Sequence, residues 1–149
     1  MNKISIIFVC TGNICRSPTA EAIFKSKIER MGLTDFFLVD SAGTHGYHIG
    51  QSPDQRSVSA AKPYNYSFEG IKSRAFDVSI DYENDYIIAM DQSHLNWLME
   101  NKPLECSSMI DLLMNFDQNS RSNKDIEDPY YGGENGFKLV IEKIQEGID

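Results

Sequence analysis

Val9-Cys10-Thr11-Gly12-Asn13-Ile14-Cys15-Arg16-Ser17-Pro18 is the stretch on which the reading of this chain turns. The residues before it, Lys3 to Val9, are rich in Ile, Phe and Val and read as a buried strand. Thr11 to Ser17 is a small polar turn. Pro18 stands where a first helical residue is favoured, with Ser17 as its N-cap. A cysteine, five residues, an arginine and a serine thus lie on a turn from strand into helix. Five residues can curl around one tetrahedral anion and point their backbone N–H groups inward, and Gly12 allows the close approach and positive φ that such a nest often needs. The helix beyond aims its positive dipole end at the same spot. Arg16 adds a planar fork that matches two oxygens of a phosphate or sulfate-like anion. The candidate anion-binding residues are therefore Thr11, Gly12, Asn13, Ile14, Cys15, Arg16 and Ser17. Cys10 sits beneath this field, which favours thiolate over thiol and makes it a candidate nucleophile.

Outward from the loop, Thr19 to Met31 has helical composition, with Ala20, Phe24 and Ile28 at i+4 spacing and Gly32 as its stop. Phe36 to Val39 reads as a second strand, Asp54 to Lys62 as a helix and Tyr86 to Met90 as a third buried strand. Gln92 to Asn101 follows as a helix, and the apolar run Met109 to Met114 can hold a fourth strand. Gly136 to Ile148 is amphipathic by its Phe137, Val140, Ile141 and Ile144. Strands alternating with helices predict an α/β fold with a mainly parallel sheet. Ligands of such sheets bind at the carboxyl ends of the strands, and Cys10 stands at the first of these. The 149 residues suffice for one domain with a sizeable core, and neither repeat nor linker divides them, so residues 1–149 are read as a single domain.

The formal net charge is −8, and no long basic run appears, which argues against a nucleic-acid or anionic-membrane partner. An anion site on so acidic a chain must build its positive field locally. The apolar run Ile4 to Val9 is too short for a membrane span, and no small-residue cleavage site follows it. The cysteines, Cys10, Cys15 and Cys106, are few and odd in number, which suits a reducing compartment; the cytoplasm is expected. The histidines, His45, His48 and His94, stand at no metal-ligand spacing, so no metal or other cofactor is expected.

A leaving phenolate or alkoxide needs a proton. The C-terminal half offers Asp125, Glu127, Asp128 and Glu134, of which Asp128 is the best candidate. It lies in Glu127-Asp128-Pro129-Tyr130-Tyr131-Gly132-Gly133, where Pro129 stiffens the chain after the acid. Tyr130 and Tyr131 suggest an aromatic-lined pocket mouth. Cys15 has two readings: a small residue packed behind the loop, or a redox partner that joins Cys10 when peroxide oxidises it.

These segments together resemble the low-molecular-weight protein tyrosine phosphatases, over almost the whole chain from near residue 4. The resemblance implies a three-layer fold, with a four-stranded parallel sheet flanked by helices. It implies hydrolysis of phosphotyrosine and aryl phosphate monoesters on proteins through a cysteinyl-phosphate, with Cys10 as nucleophile, Arg16 as phosphate ligand and Asp128 as general acid. Asp40-Ser41-Ala42-Gly43 resembles the family's second-strand end, where the serine, here Ser41, braces the loop asparagine. Tyr47 and Tyr130 would wall the slot for the substrate ring, and Met90-Asp91 is similar to the family's Met-Asp after the third strand. One departure stands out: a loop-bracing histidine usual in the family is replaced in Ile71-Lys72-Ser73-Arg74. Two alternatives sit on the same fold. An arsenate reductase relays oxidation through further cysteines in the second half, where this chain has only Cys106. A non-catalytic phosphotyrosine-binding module would have lost part of the trio that is intact here. A nucleotide-binding P-loop fails, because no Gly-Lys-Ser/Thr follows the turn.

Overall fold

The computed structural model describes residues 3–46, 49–116, 126, 141, 144 and 145, with the side chains of 115 and 116 excepted. Four strands, β1 (Ile4–Cys10), β2 (Phe37–Gly43), β3 (Tyr86–Ala89) and β4 (Met109–Leu112), form one sheet in the order β2-β1-β3-β4. Every pairing is parallel. Between them run α1 (Arg16–Arg30), α2 (Gln55–Ala61) and α3 (Gln92–Asn101).

Strand periodicity explains the layers. Successive side chains of β1 point to opposite faces. Ile6, Phe8 and Cys10 join one core with Ala20 and Ile23 of α1, Ala61 of α2, and Ile126, Ile141 and Ile144. Ile7 and Val9 join the other with Leu98 of α3, Phe76 and Tyr82. A strand buried on both faces needs a continuous apolar run, which is what Ile6 to Val9 supplies. Each such side chain contributes about 1.5–3 kcal/mol by its removal from water. The strand order places β1 beside both β2 and β3, so the chain leaves the carboxyl ends of β1 and β3 in different directions. In parallel sheets this is where ligands bind, and Cys10 stands there.

The strand and helix assignments of the sequence fall within a few residues of the structure, and α3 coincides with its expected span. Three differences have physical reasons. β2 runs on to Gly43 because its last three residues are buried beside the loop after β1. α1 starts at Arg16 with Cys15 as its N-cap, and no side chain caps it. Ser17 is thus a helical residue whose hydroxyl turns inward, and Pro18 is the third residue of the helix rather than the first. β4 ends at Leu112, and Leu113–Phe116 tightens into a 3-10 turn. Of the expected C-terminal helix only Ile141, Ile144 and Gln145 are described, all helical; the rest lies outside the described residues.

α1 ends in a Schellman motif. Gly32 at φ 70 donates its N–H to the Glu29 carbonyl (3.1 Å), and Leu33 donates to Ile28 (2.8 Å). A methyl group at Gly32 would meet nothing within 4 Å, so a substitution there tests backbone conformation alone. Gly32→Ala is expected to cost about 1 kcal/mol and lower Tm by about 2–4 °C for a chain of this size. Thermal denaturation checks this; an unchanged Tm would refute the left-handed turn.

Candidate active site

Cys10 ends β1 at 2% exposure. The turn beyond it is held from outside by its carbonyl oxygens. Those of Cys10 and Thr11 accept the backbone N–H groups of Thr44 (2.9 Å) and His45 (3.0 Å). That of Gly12 accepts the Ser73 hydroxyl (2.7 Å). The Ile14 carbonyl accepts the Asp54 N–H (2.6 Å), and that of Cys15 accepts the Thr19 hydroxyl (2.6 Å). No described peptide bond is cis, and in a trans peptide the N–H points opposite to the C=O. The N–H groups of Thr11, Gly12, Asn13, Cys15 and Arg16 therefore point away from these outer partners, into the curve of the loop. A concave row of N–H groups at a helix start is able to hold an anion.

The left-handed residue of this turn is Asn13, at φ 56, and not Gly12. Asparagine tolerates that conformation when its side chain finds local partners. Here Nδ2 donates to Ser17 Oγ (2.8 Å), and Oδ1 accepts the Arg74 backbone N–H (3.0 Å). Asn13 and Ser17 are both fully buried. Ser17 Oγ also lies 3.0 Å from Cys10 Sγ. Since it already accepts from Asn13, the serine has its own hydrogen to give, and Cys10 Sγ at 3.0 Å and the Ala42 carbonyl oxygen at 3.4 Å are its acceptors in reach. Gly43 closes the back of the loop, where an added Cβ would stand 2.6 Å from the Thr11 carbonyl oxygen.

Ser41 is a correction. Its hydroxyl donates to Glu21 Oε1 (2.6 Å) in α1, and Asn13 is braced by Ser17 and Arg74 instead. The replaced histidine segment fills the gap in two ways that need no imidazole: the Arg74 N–H holds Asn13, and the Ser73 hydroxyl holds Gly12. Backbone donors leave no residue signature, so the sequence offered no sign of the Arg74 contact.

Arg16 is 3% exposed and fixed by partners distant in sequence. One terminal nitrogen donates to Asp91 Oδ2 (2.6 Å) and to the Ile126 carbonyl (3.0 Å). The other lies 3.4 Å from both Thr11 Oγ1 and His94 Nε2. Asp91 follows β3 and caps α3, where Ser93 also donates to it. Burial pushes the Asp91 carboxyl pKa up, but the Ser93 hydroxyl, the His94 ring and the Arg16 guanidinium outweigh it and hold the group below its usual value. His94 is 2% exposed and satisfied by hydrogen bonds, and no cluster of metal-ligating side chains occurs among the described residues. Its link to the loop was missed in the sequence; the signal was its position three residues after Asp91, the N3 place of a capping box.

Cys15, 6% exposed, accepts a hydrogen bond from Ser57 Oγ (3.1 Å). Ile14 lies at the core's edge, 9% exposed. Asp128, Tyr47, Tyr130 and Tyr131 lie outside the described residues.

A thiol thus lies beneath a braced turn of N–H groups, with a fixed arginine beside it. The sequence pattern described as "Low molecular weight phosphotyrosine protein phosphatase" matches residues 5–149. The Saccharomyces cerevisiae protein of that description is 40% identical over 148 residues, covering 95% of this chain and 89% of its own. The Homo sapiens protein of that description is 37% identical, covering 93% and 87%. Among solved structures, a protein tyrosine phosphatase from Entamoeba histolytica with Hepes in its active site superposes with a TM-score of 0.91 at 38% identity, covering 98% of this chain and 92% of that one. This chain belongs to the low molecular weight phosphotyrosine protein phosphatase family, and it is an enzyme of the protein-tyrosine-phosphatase type.

The lowered pKa of Asp91 gives a pH prediction. A carboxylate whose folded pKa is depressed stabilises the fold above its unfolded pKa of about 3.9, and that contribution is lost as pH falls through the folded value. Asp91→Asn should be less stable than wild type at neutral pH, and the gap should close in acid. Urea denaturation across a pH series measures it; a gap constant with pH would show that the charge of Asp91 contributes nothing.

Proposed function

We propose that phosphotyrosine hydrolysis in this chain runs through Cys10, Arg16 and Asp128. The observation that carries the reading is the loop itself: Cys10 Sγ stands 3.0 Å from the Ser17 hydroxyl, in a turn whose carbonyl groups are tied outward. Phosphoryl transfer spreads charge over three equatorial oxygens, with attacking and leaving atoms in line. The N–H groups of the loop and the Arg16 guanidinium are suited to those oxygens. Preorganised donors of this kind contribute about 3–4 kcal/mol each in other enzymes. Cys10 attacks phosphorus, the P–O bond to the tyrosine breaks, and Asp128 gives its proton to the leaving oxygen. Asp128, now ionised, takes a proton from water as that water attacks the cysteinyl-phosphate. The Ser17 hydroxyl stabilises the thiolate that leaves.

The substrates are phosphotyrosine-bearing proteins, with Tyr47, Tyr130 and Tyr131 as walls for the aryl ring. Cysteines few and odd in number, Cys10, Cys15 and Cys106, suit a reducing compartment, and we place the enzyme in the cytoplasm. No helix among the described residues is long and apolar enough to cross a membrane.

Cys10→Ser should abolish turnover of p-nitrophenyl phosphate while phosphate binding persists, because the N–H nest and Arg16 remain. Turnover at the wild-type rate would remove Cys10 from the role of nucleophile. Asp128→Ala should lower kcat by about 10²–10⁴, the usual contribution of a general acid. The loss should grow as the leaving group becomes a poorer one; equal losses across a leaving-group series would assign Asp128 a structural role.

A further inference from the structure

Thr11 carries a hydroxyl that the reaction above leaves without a task, and a buried histidine stands behind it. His94 lies in the first turn of α3, and its Nδ1 accepts the Asp91 N–H (3.2 Å), completing the capping box. A ring nitrogen that accepts carries no hydrogen, so the hydrogen of the neutral ring is on Nε2. Were the ring protonated, with Nδ1 turned on Asp91 Oδ1 at 3.3 Å, Nε2 would carry a hydrogen still. Nε2 lies 2.8 Å from Thr11 Oγ1 and, carrying that hydrogen, donates to it; the Arg16 nitrogen 3.4 Å from the same Nε2 then finds its acceptor in Thr11 Oγ1 instead. The Arg16 guanidinium, 3.4 Å away, is a second donor towards the same oxygen. A hydroxyl oxygen that accepts from both has only its own hydrogen left to give. Thr11 is part of the anion loop and half-buried, and its Oγ1 stands beside the Arg16 nitrogen.

We propose that the Thr11 hydroxyl is a substrate-contacting donor, which His94 turns towards an oxygen of the bound phosphoryl group. The proposal rests on the reading of the loop as the phosphoryl site. Thr11 adds a side-chain donor to the backbone nest, and His94 is a positioning residue that acts through it. The geometry also explains why an imidazole serves at this place. Its two nitrogens accept from the helix cap on one side and donate to the loop on the other. The start of α3 and the rim of the anion loop are thereby held in one register. A glutamine presents a carbonyl oxygen and an NH₂ in the same order and can substitute for it; leucine cannot.

The probe is inorganic phosphate, with its Kd measured by calorimetry alongside kcat/KM for p-nitrophenyl phosphate. Thr11→Val should weaken phosphate roughly tenfold, the effect of one hydrogen bond to a charged group, and lower kcat/KM at least as much. Thr11→Ser should restore both. His94→Leu should weaken phosphate by a similar factor in the wild-type background and much less in the Thr11→Val background, because the two act through one contact. His94→Gln should retain most of the affinity. If His94→Leu does not fold, His94→Glu takes its place: it holds the cap but has no hydrogen for Thr11, and its charge acts equally in both Thr11 backgrounds. Wild-type phosphate affinity in Thr11→Val would overturn the contact, and additive losses in the double variant would overturn the positioning role of His94. Phosphate binding is read without turnover, so absence of hydrolysis by the wild type would count against the phosphatase reading and not against this contact.

Discussion

The left-handed turn at Asn13 is the constraint on which the site depends. A non-glycine residue at φ 56 costs about 1–2 kcal/mol relative to ordinary backbone. The side-chain amide offsets it with a bond to Ser17 and a bond from the Arg74 N–H. Because Asn13 is fully buried, loss of either partner would leave a polar atom unsatisfied, at about 1–3 kcal/mol. That penalty is as large as the strain, so the turn persists only while both partners are in place. Through Ser17 the constraint reaches the Cys10 thiol. Through Arg74, whose guanidinium pairs with Asp40 and Asp81, it reaches β2 and the segment that leads to β3. The loop is thus shaped by contacts of the fold itself, which is the condition for electrostatic stabilisation without reorganisation.

For the proposed phosphoryl site, the acidic balance of the chain makes attraction of phosphate a local matter. A formal net charge of −8 repels a dianion at long range, but screening reduces this beyond about 8 Å at physiological salt. Inside that distance the fixed N–H groups and Arg16 dominate. Arg16 itself is buried with a carboxylate, an arrangement that gives little net stability because desolvation consumes the Coulomb gain. Its value is orientation. Asp91 and the Ile126 carbonyl hold one end of the guanidinium, so the fork does not have to be ordered by the substrate. The same carboxylate caps α3 and anchors His94, so Asp91, two residues beyond β3, ties the loop after β1 to the start of α3.

What the sequence disclosed follows from how local each feature is. The strand Ile4–Cys10 was legible because a parallel strand buried on both faces is a continuous apolar run. α3 was legible because its start is fixed by an aspartate cap and its length by its neighbours. The cysteine-to-arginine turn was legible because a small polar stretch with a glycine, between an apolar run and a helical pattern, reads as a turn from strand into helix. The start of α1 was misplaced because Ser17 and Pro18 carry the ordinary marks of a helix start, whereas here the serine hydroxyl is taken by Cys10 and Asn13. The positive φ was assigned to Gly12 on steric grounds alone; the tertiary partners of Asn13 moved it one residue along. Ser41 was given the wrong partner because the pairing of β2 with β1 and the packing of α1 bring Glu21 to its hydroxyl, a contact 20 residues away in sequence. The His94–Thr11 contact spans 83 residues, and the capping-box position of His94 marks the start of α3 but not its partner Thr11.

The central claim is that the braced loop makes Cys10 the residue that carries the phosphoryl group between the two steps. Trapping that group tests it most directly. The enzyme is mixed with ³²P-labelled p-nitrophenyl phosphate, quenched in acid during turnover and mapped by proteolysis. The account predicts label on the peptide that contains Cys10, in amounts that rise when Asp128→Ala slows breakdown of the intermediate relative to its formation from a good leaving group. Label on another residue, or turnover with no labelled peptide at any quench time, would contradict it.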